Sequence, residues 1–200
     1  MNVLVCGGAG FIGSEFIRNH LKNNSDSKLT NLDILTIGSN LQNLKNIENN
    51  PNYSFIKENI TNESIIDGIV KDVDVIVNFA AESHVDRSIS NPKPFLETNI
   101  MGTYSILEAV RKYDKKFIHV STDEIYGDAY GQDSFDEESQ INPSNPYAAT
   151  KAAADNLVAS YHRTYGINCI ITRCTNNFGP FQFPEKLIPK TIIRSIKNLK

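Results

Sequence analysis

The stretch at residues 6–13, which reads CGGAGFIG, decides the fold prediction. Gly8, Gly10 and Gly13 satisfy the pattern GxGxxG, and Gly7 with the last two also satisfies GxxGxxG. Glycines permit a tight turn that lets the backbone approach a diphosphate closely, and the start of the following helix favours negative charge. An apolar run precedes the motif and a helical pattern follows it, so the stretch predicts a dinucleotide-binding turn.

An acidic residue supports this prediction. Asp33 closes the second apolar run, at the spacing that such a turn requires. A carboxylate there can accept hydrogen bonds from ribose hydroxyls and would repel a 2′-phosphate. The sequence therefore predicts NAD rather than NADP as the cofactor.

Short apolar runs alternate with longer helical patterns along the chain. The predicted strands are residues 2–6, 29–33, 53–56, 73–79, 117–121 and 168–172, and the predicted helices are residues 11–23, 63–70, 93–113, 146–165 and 184–199. Several runs are continuously apolar, as in parallel strands covered on both faces. The pattern predicts an α/β fold, a Rossmann-like doubly wound parallel sheet with strand order 3-2-1-4-5-6. Residues 127–146 are polar and turn-rich, and we expect a functional loop there.

Composition excludes several classes of protein. The 200 residues are 40% hydrophobic and 22% charged with a net charge of −3, which argues against a nucleic-acid or membrane partner. The three cysteines show no metal-binding spacing, and no secretory signal precedes the first strand. We therefore predict a cytoplasmic protein without a metal site.

Two further pairs of residues predict proton-transfer chemistry. Tyr147 and Lys151 form YxxxK at the start of a predicted helix, where positions i and i+4 share a face. A nearby ammonium and an oxidised nicotinamide would favour the phenolate of a tyrosine whose ordinary pKa is about 10. Asp123 and Glu124 lie side by side just after a buried strand. Like charge and partial burial would keep one of them protonated, which provides an acid and a base.

Five longer stretches carry a resemblance to a known family. They are FAAESHVDRSI (79–89), ETNIMGT (97–103), STDEIYG (121–127), NPYAATKAAAD (145–155) and RCTNNFGPFQFPEKLIP (173–189). With the glycine turn and YxxxK, they make the chain similar to the extended short-chain dehydrogenase/reductase family. Within that family it resembles the nucleotide-sugar 4,6-dehydratases of the dTDP-glucose 4,6-dehydratase type, which act in rhamnose biosynthesis.

The resemblance implies a reaction in three stages. Tyr147 would take the proton of the sugar C4 hydroxyl while NAD takes the C4 hydride, with Thr122 hydrogen-bonded to the same oxygen and Lys151 holding the ribose. Glu124 would then remove the C5 proton, and a protonated Asp123 would donate to the leaving C6 hydroxyl. Hydride return to C6 and reprotonation of C5 would give a 4-keto-6-deoxy sugar nucleotide.

The resemblance also assigns the binding residues. The cofactor contacts are Gly7, Gly10, Phe11, Ile12, Gly13, Asp33, Thr36, Asn59, Ile60, Phe79, Ala80, Ala81, Thr98, Tyr147, Lys151 and Asn177. The substrate contacts are Ser83, Thr122, Asn176, Lys186 and Leu187. The chain departs from the family on the adenosine side, where Asn59 replaces the usual aspartate and Ile34 and Ile37 follow the ribose acid. We expect these departures to alter affinity and leave the chemistry intact.

Family members are longer than this chain, so the resemblance implies two domains. Residues 1–175 would form the NAD-binding Rossmann domain, and residues 176–200 would begin a smaller C-terminal substrate domain, here an incomplete sugar-nucleotide-binding domain. The resemblance also implies a homodimer, formed through the helices at 93–113 and 146–165.

Several alternatives remain open at this stage. The nucleotide of the substrate could be dTDP or UDP, and the enzyme could be a UDP-N-acetylglucosamine 4,6-dehydratase with or without 5-epimerase activity. A nucleotide-sugar 4-epimerase or decarboxylase has no need for Asp123 and Glu124, so the acid pair counts against that reading. A non-catalytic NAD-binding protein would not need the full set of catalytic side chains. His84 is interpreted as structural.

Overall fold

A computed structural model describes residues 1–129, 131 and 134–199 of the chain. Tyr130, Gln132 and Asp133, which belong to the predicted loop over residues 127–146, lie outside the described residues. Lys200, which belongs to the predicted beginning of a C-terminal domain, also lies outside the described residues.

A parallel sheet forms the centre of the fold. Its six strands are arranged in the order β3-β2-β1-β4-β5-β6, which confirms the predicted Rossmann-like, doubly wound topology. Cys6 at the end of β1 pairs with Leu32 of β2 on one side and with Asn78 of β4 on the other, so the carboxyl ends of these strands meet at one edge. The strands are β1 Asn2–Cys6, β2 Lys28–Leu32, β3 Tyr53–Ile56, β4 Val75–Asn78, β5 Lys116–Thr122 and β6 Cys169–Cys174.

Helices cover both faces of the sheet. Among the described residues they are α1 Phe11–Asn23, α2 Glu63–Val70, α3 Val85–Ser90, α4 Lys93–Phe95, α5 Thr103–Tyr113, α6 Pro146–Tyr165 and α7 Leu187–Ile196. A π-helical segment, Leu96–Gly102, joins α4 to α5, and two 3₁₀ helices span Leu41–Ile47 and Asp123–Tyr126.

Two apolar cores lie on opposite faces of the sheet. Leu4 of β1 belongs to the core that also contains Ile106 of α5 and Val158 of α6, whereas Val5, the next residue, belongs to the core that contains Ile17 of α1. Successive strand residues point to opposite faces, so a continuously apolar strand fills both cores. This is why the strands do not alternate between apolar and polar residues.

The structure differs from the prediction where elements are short or irregular. The helix predicted over residues 93–113 contains the π-helical segment, which begins at Leu96 and ends at Gly102, where the side chain of Ile60 packs against the backbone. Helix α3 and the two 3₁₀ helices, each of seven residues or fewer, were not predicted because they are too short to show a period. Helix α7 is shorter than predicted and buries none of its residues. Among the described residues, no helix is both long enough and apolar enough to cross a lipid bilayer.

Candidate active site

A cleft runs along the edge where the parallel strands end, as expected for a doubly wound sheet. The glycine turn forms one wall. Gly7 has φ +76°, and a Cβ there would lie 2.5 Å from the backbone nitrogen of Ala80. A Cβ at Gly13 would collide with the backbone oxygen of Gly7. Helix α1 then begins after Gly10 without a side-chain cap, so its first backbone N–H groups are available to an anion in the cleft.

Asp33 lies at the next strand end and is almost completely buried. Its carboxylate accepts hydrogen bonds from the backbone N–H groups of Ala9, at 3.0 Å, and Leu35, at 2.8 Å. The Ser39 hydroxyl lies 3.3 Å from one of its oxygens. Asp33 therefore fixes the glycine turn, and because each carboxylate oxygen has more than one lone pair, it can still accept from a ribose hydroxyl.

Tyr147 is held in the first turn of α6. The Asn145 side chain accepts a hydrogen bond from the Ala148 N–H at 2.9 Å, and Pro146 occupies the first helical position. The Tyr147 N–H donates to the Ser88 hydroxyl at 3.1 Å, and the Tyr147 ring packs edge-on against Phe95. These contacts point the phenol into the cleft, where it is 8% exposed.

The expectation that Lys151 and an oxidised nicotinamide together favour the Tyr147 phenolate stays a prediction, and the burial of the ring acts against it. Burial raises the pKa of the Tyr147 phenol above its usual value, and the carboxylates of Glu124 and Asp123 raise it further. The neighbouring Thr122 hydroxyl acts in the opposite direction. Proximity of YxxxK on one helix face is thus not sufficient to favour the phenolate, because desolvation is the larger effect.

Lys151 lies one helical turn below Tyr147 and is 3% exposed. Its ammonium donates to the backbone carbonyl of Val120 at 2.8 Å. Burial lowers the pKa of Lys151 to about 8. The side chain still lines the cleft, so the predicted contact with a ribose is compatible with its position.

The acid pair lies on the 3₁₀ helix Asp123–Tyr126, directly after β5. The Thr122 hydroxyl accepts from the Glu124 N–H at 3.3 Å and lies 3.3 Å from Asp123 Oδ1. Glu124 also accepts from the Asn145 side chain at 3.4 Å and lines the cleft, whereas Asp123 stands behind Thr122 and is not part of the cleft wall. The turn therefore presents one carboxylate to the cleft with the second beside it.

The loop after β4 is fixed from below by Asn99 in the π-helical segment. The Asn99 side chain accepts from the Glu82 N–H at 2.9 Å and donates to the Glu82 carbonyl at 3.1 Å. It also donates to the Thr150 hydroxyl at 2.9 Å. These bonds hold Ser83 and Thr98 in the cleft wall.

A segment over residues 175–186 crosses the mouth of the cleft. Near the glycine turn, the Arg18 guanidinium lies 4.8 Å from the centre of the Phe181 ring. At the other end, Glu185 pairs with Arg87 at 2.6 Å, and Lys186 donates to the Ser83 carbonyl at 3.2 Å. The segment thus contacts helix α1 on one side of the cleft and the loop after β4 on the other.

The structure brings most of the predicted site residues together. Those that line the cleft are Gly7, Gly10, Phe11, Ile12, Gly13, Asp33, Thr36, Asn59, Ile60, Phe79, Ala80, Ala81, Ser83, Thr98, Thr122, Glu124, Tyr147, Lys151, Asn176, Asn177 and Lys186. Asp123 lies behind the wall, and Leu187 is 79% exposed at the start of α7, outside the cleft. Among the described residues, no group of acidic, cysteine or histidine side chains is arranged to hold a metal ion.

The family model described as GDP-mannose 4,6 dehydratase matches residues 4–200. The chain belongs to this family.

The chain is similar to proteins with different names. The low-salt glycan biosynthesis protein Agl12 of Haloferax volcanii is 50% identical over 98% of this chain and 63% of that protein. The dTDP-glucose 4,6-dehydratase of Bacillus anthracis, solved in complex with NAD, is 44% identical with a TM-score of 0.92 over 99% of this chain and 62% of that one. The UDP-glucuronic acid 4-epimerase of Bacillus cereus, solved with UDP-glucuronic acid and NAD, is 31% identical with a TM-score of 0.94. The match covers 100% of this chain and 64% of that one. The chain spans less than two thirds of the length of these proteins.

The sequence did not identify several residues of the dehydratase-family cleft. Cys174, at the end of β6, lines the cleft near Tyr147, with its sulfur 3.6 Å from the Ser121 carbonyl. Glu58 and Glu185 also line it. Nothing in the sequence indicated its place, since Cys174 lies beyond the strand predicted over residues 168–172 and its spacing does not mark it as functional.

Proposed function

We propose that this protein catalyses the NAD-dependent dehydration of a nucleotide-hexose, dTDP-glucose or UDP-glucose, to the 4-keto-6-deoxy sugar nucleotide. The observation that supports this most directly is that Tyr147 and Glu124 face the same cleft, close enough for the carboxylate to raise the pKa of the phenol. With NAD as the hydride acceptor, a proton acceptor for the C4 hydroxyl and a carboxylate base for C5 would then serve neighbouring carbons of one sugar. The comparison with the Bacillus anthracis dehydratase supports the same reaction, whereas the similar fold of the 4-epimerase shows that fold alone does not decide between them.

The cleft residues fit NAD. The uncapped start of α1 and the closely packed Gly7 and Gly13 form a cradle for a diphosphate, and Asp33 is placed for a ribose. NAD bound there would supply a hydride acceptor for C4, a positive charge beside Tyr147 and a hydride donor for C6. The Bacillus anthracis structure contains NAD, which supports this assignment.

Tyr147 would remove the proton of the C4 hydroxyl, and Thr122 would hold the same oxygen. Burial makes the Tyr147 phenol a poor acid, so it gives up its proton only when positive charge lies nearby. The Lys151 ammonium provides one such charge from the next helical turn. A ketone at C4 then makes the C5 hydrogen acidic, which is the purpose of the oxidation.

Glu124 would remove the C5 proton because its carboxylate is the one that faces the cleft. Asp123, assigned as the acid for the leaving C6 hydroxyl, stands behind Thr122 in the structure. We expect Asp123 to donate its proton either through the Thr122 hydroxyl, which lies 3.3 Å away, or after its side chain rotates toward the cleft. The roles of Ser83, Asn176, Lys186 and the exposed Leu187 as substrate contacts stay predictions.

Three wider assignments complete the proposal. Residues 1–175 form the NAD-binding domain and residues 176–200 begin the sugar-nucleotide-binding domain. The protein is a homodimer formed through residues 93–113 and α6, where Leu96, Met101 and Tyr165 leave large side chains exposed. Sedimentation of the purified protein tests the dimer, and a cytoplasmic location stays a prediction from the sequence.

Product analysis tests the proposed reaction. Incubation of the protein with NAD and, separately, dTDP-glucose, UDP-glucose, UDP-N-acetylglucosamine and GDP-mannose should convert one of them to a product lighter by one water molecule. Mass spectrometry and NMR of the sugar identify that product. A product of unchanged mass with inverted C4 would instead establish an epimerase, and NAD binding without any product would establish a non-catalytic protein.

Replacing Gly13 by alanine is expected to weaken both the fold and NAD binding. A Cβ at Gly13 collides with the backbone of the glycine turn, so the turn must move. Overpacking of this kind costs about 1–3 kcal/mol of the free energy of unfolding. Urea denaturation and titration with NAD measure the two losses.

Gly68→Ala is the matched control, because nothing lies within 4 Å of a Cβ at Gly68 in α2. It should leave NAD binding unchanged and stabilise the fold by about 0.5–1 kcal/mol. Normal NAD affinity in Gly13→Ala would show that the turn does not hold the diphosphate.

A further inference from the structure

A buried polar cluster lies beneath the active site, between α6 and the strands β5 and β6. Its members are Lys151 and Asp155 of α6, His119 of β5 and Arg173 of β6. Asp155 and His119 are each only 1% exposed. Tyr147, Lys151 and Asp155 are spaced by four residues, so they lie along one face of α6 with the phenol at the cleft and the carboxylate at the inner end. The proposed reaction uses the first two and leaves Asp155 unexplained.

The contacts run from the cleft inwards. His119 Nε2 lies 3.5 Å from the Lys151 ammonium and 3.6 Å from Asp155 Oδ1. The other carboxylate oxygen, Asp155 Oδ2, accepts from Arg173 Nε at 3.0 Å. Arg173 in turn donates to the Tyr126 hydroxyl at 2.8 Å, at the end of the turn that carries the acid pair. Arg173 therefore anchors one oxygen of the carboxylate, and the Ser121 hydroxyl is near enough to act with Arg173 in lowering the pKa of the Asp155 carboxyl.

The Asp155 oxygen that does not contact Arg173 faces His119 Nε2, which the Lys151 ammonium also contacts. In the described part of the chain, Asp155 Oδ1 and His119 Nδ1 are buried without a hydrogen-bond partner. A buried carboxylate oxygen that lacks such a partner is costly unless an opposite charge lies nearby. Arg173 contacts the other oxygen, and the Lys151 ammonium reaches this side of the carboxylate through His119 Nε2, the atom that both contact. This arrangement gives Asp155 an electrostatic role toward Lys151.

Asp155 is the carboxylate that raises the pKa of Lys151. Burial raises the pKa of Asp155 itself, and the Ser121 hydroxyl, Arg173 and Lys151 act in the opposite direction. Burial lowers the pKa of Lys151 to about 8, and Asp155 acts in the opposite direction. Burial, with Lys151 adding to it, lowers the pKa of His119 well below 6.5, so the imidazole is neutral. The titratable groups that face Lys151 are His119 from β5, Tyr147 and Asp155 from α6 and Cys174 from β6, with Arg173 on the far side of the carboxylate.

We propose that Asp155 is a positioning residue that keeps the buried Lys151 ammonium charged while the site works, and that Arg173 holds the carboxylate in place for this purpose. Its effect on catalysis rests on the proposed function, in which the charge of Lys151 is one of those that favour the Tyr147 phenolate. The coupling between the two side chains does not depend on that function. It can be measured without any substrate.

The test is the titration of Lys151 in Asp155→Asn. Asparagine has nearly the same shape and retains an oxygen for Arg173, so it removes the charge with little change in packing. The pKa of Lys151, followed by NMR of its ¹³Cε resonance and assigned with Lys151→Met, should fall by about 1 unit or more. The alkaline limit of product formation should move to lower pH by the same amount, because the ammonium is lost at lower pH. A uniform loss of activity without this shift would indicate a structural role only and overturn the proposal.

Two controls separate this coupling from general effects. Asp155→Glu keeps the charge and should retain the wild-type alkaline limit. Asp67→Asn removes an aspartate that pairs with Lys112 at 2.7 Å on the surface, and it should leave the Lys151 titration in place.

An unchanged Lys151 titration in folded Asp155→Asn overturns the proposal. If Asp155→Asn does not fold, the double variant with Lys151→Met decides. It should recover folded protein because the unpaired buried ammonium is gone, and failure to recover it overturns the proposal. Wild-type protein that yields no keto product refutes the proposed function instead, and leaves the titration result standing.

Discussion

Replacement of Glu124 by glutamine is expected to stop the reaction after the sugar has been oxidised. Glutamine keeps the size of the side chain and can still accept the hydrogen bond from Asn145, which lies 3.4 Å away in the structure. It cannot take the C5 proton. Loss of a proton-transfer group costs about 10²–10⁴ in rate, so water elimination should fall by that factor.

The measurement follows the two stages separately in the protein supplied with its sugar nucleotide. Absorbance of the reduced nicotinamide should rise at the normal rate and then persist, while mass spectrometry detects no loss of water. Glu138→Gln is the matched control, because Glu138 is an exposed glutamate outside the cleft wall. Normal 4-keto-6-deoxy product from Glu124→Gln would show that another group removes the C5 proton.

The topology could be predicted because the strands that fill both cores are continuously apolar. Val3, Leu4 and Val5 belong alternately to the two cores, and this pattern is visible in the sequence. The interruption of the helix over residues 93–113 was not visible. It occurs where Ile60, which is distant in the sequence, packs against Gly102, and a local period contains no such information.

The candidate site could be predicted as a set of residues, but its electrostatics could not. The motifs predicted that Tyr147, Lys151 and Glu124 lie near one another. Glu124 follows the end of a strand, the other two lie near the start of a helix, and both places are at the same edge of the sheet. The sequence did not show that burial raises the pKa of the Tyr147 phenol. Desolvation depends on what surrounds the ring in three dimensions, and the four-residue spacing to Lys151 does not show it.

For Asp155, the sequence shows which helix face the residue lies on but not what it contacts. Its place in the series Tyr147, Lys151, Asp155 is a signal that the sequence contains, since every fourth residue lies on one helix face. Its contacts with His119 and Arg173 come from two different strands and cannot be inferred from that spacing.

Tyr147→Phe is expected to abolish the first chemical stage. Phenylalanine can occupy the same position, because the ring packs against Phe95 and the backbone N–H bonds to Ser88. What disappears is the oxygen that would accept the C4 proton. C4 oxidation should therefore fall by about 10²–10⁴, with NAD affinity close to that of the wild type.

Stopped-flow absorbance of the reduced nicotinamide measures this stage directly, and it distinguishes Tyr147→Phe, with no early signal, from Glu124→Gln, with a persistent one. Tyr161→Phe makes the same substitution on the same helix, where the hydroxyl donates to Glu108 at 2.6 Å outside the cleft. It should retain the oxidation rate, because a hydroxyl remote from the sugar cannot affect proton removal. If Tyr147→Phe oxidises the sugar as fast as Tyr161→Phe does, the phenol is not the base. The presence of a proton-accepting tyrosine and a carboxylate in one cleft then no longer supports the proposed dehydration.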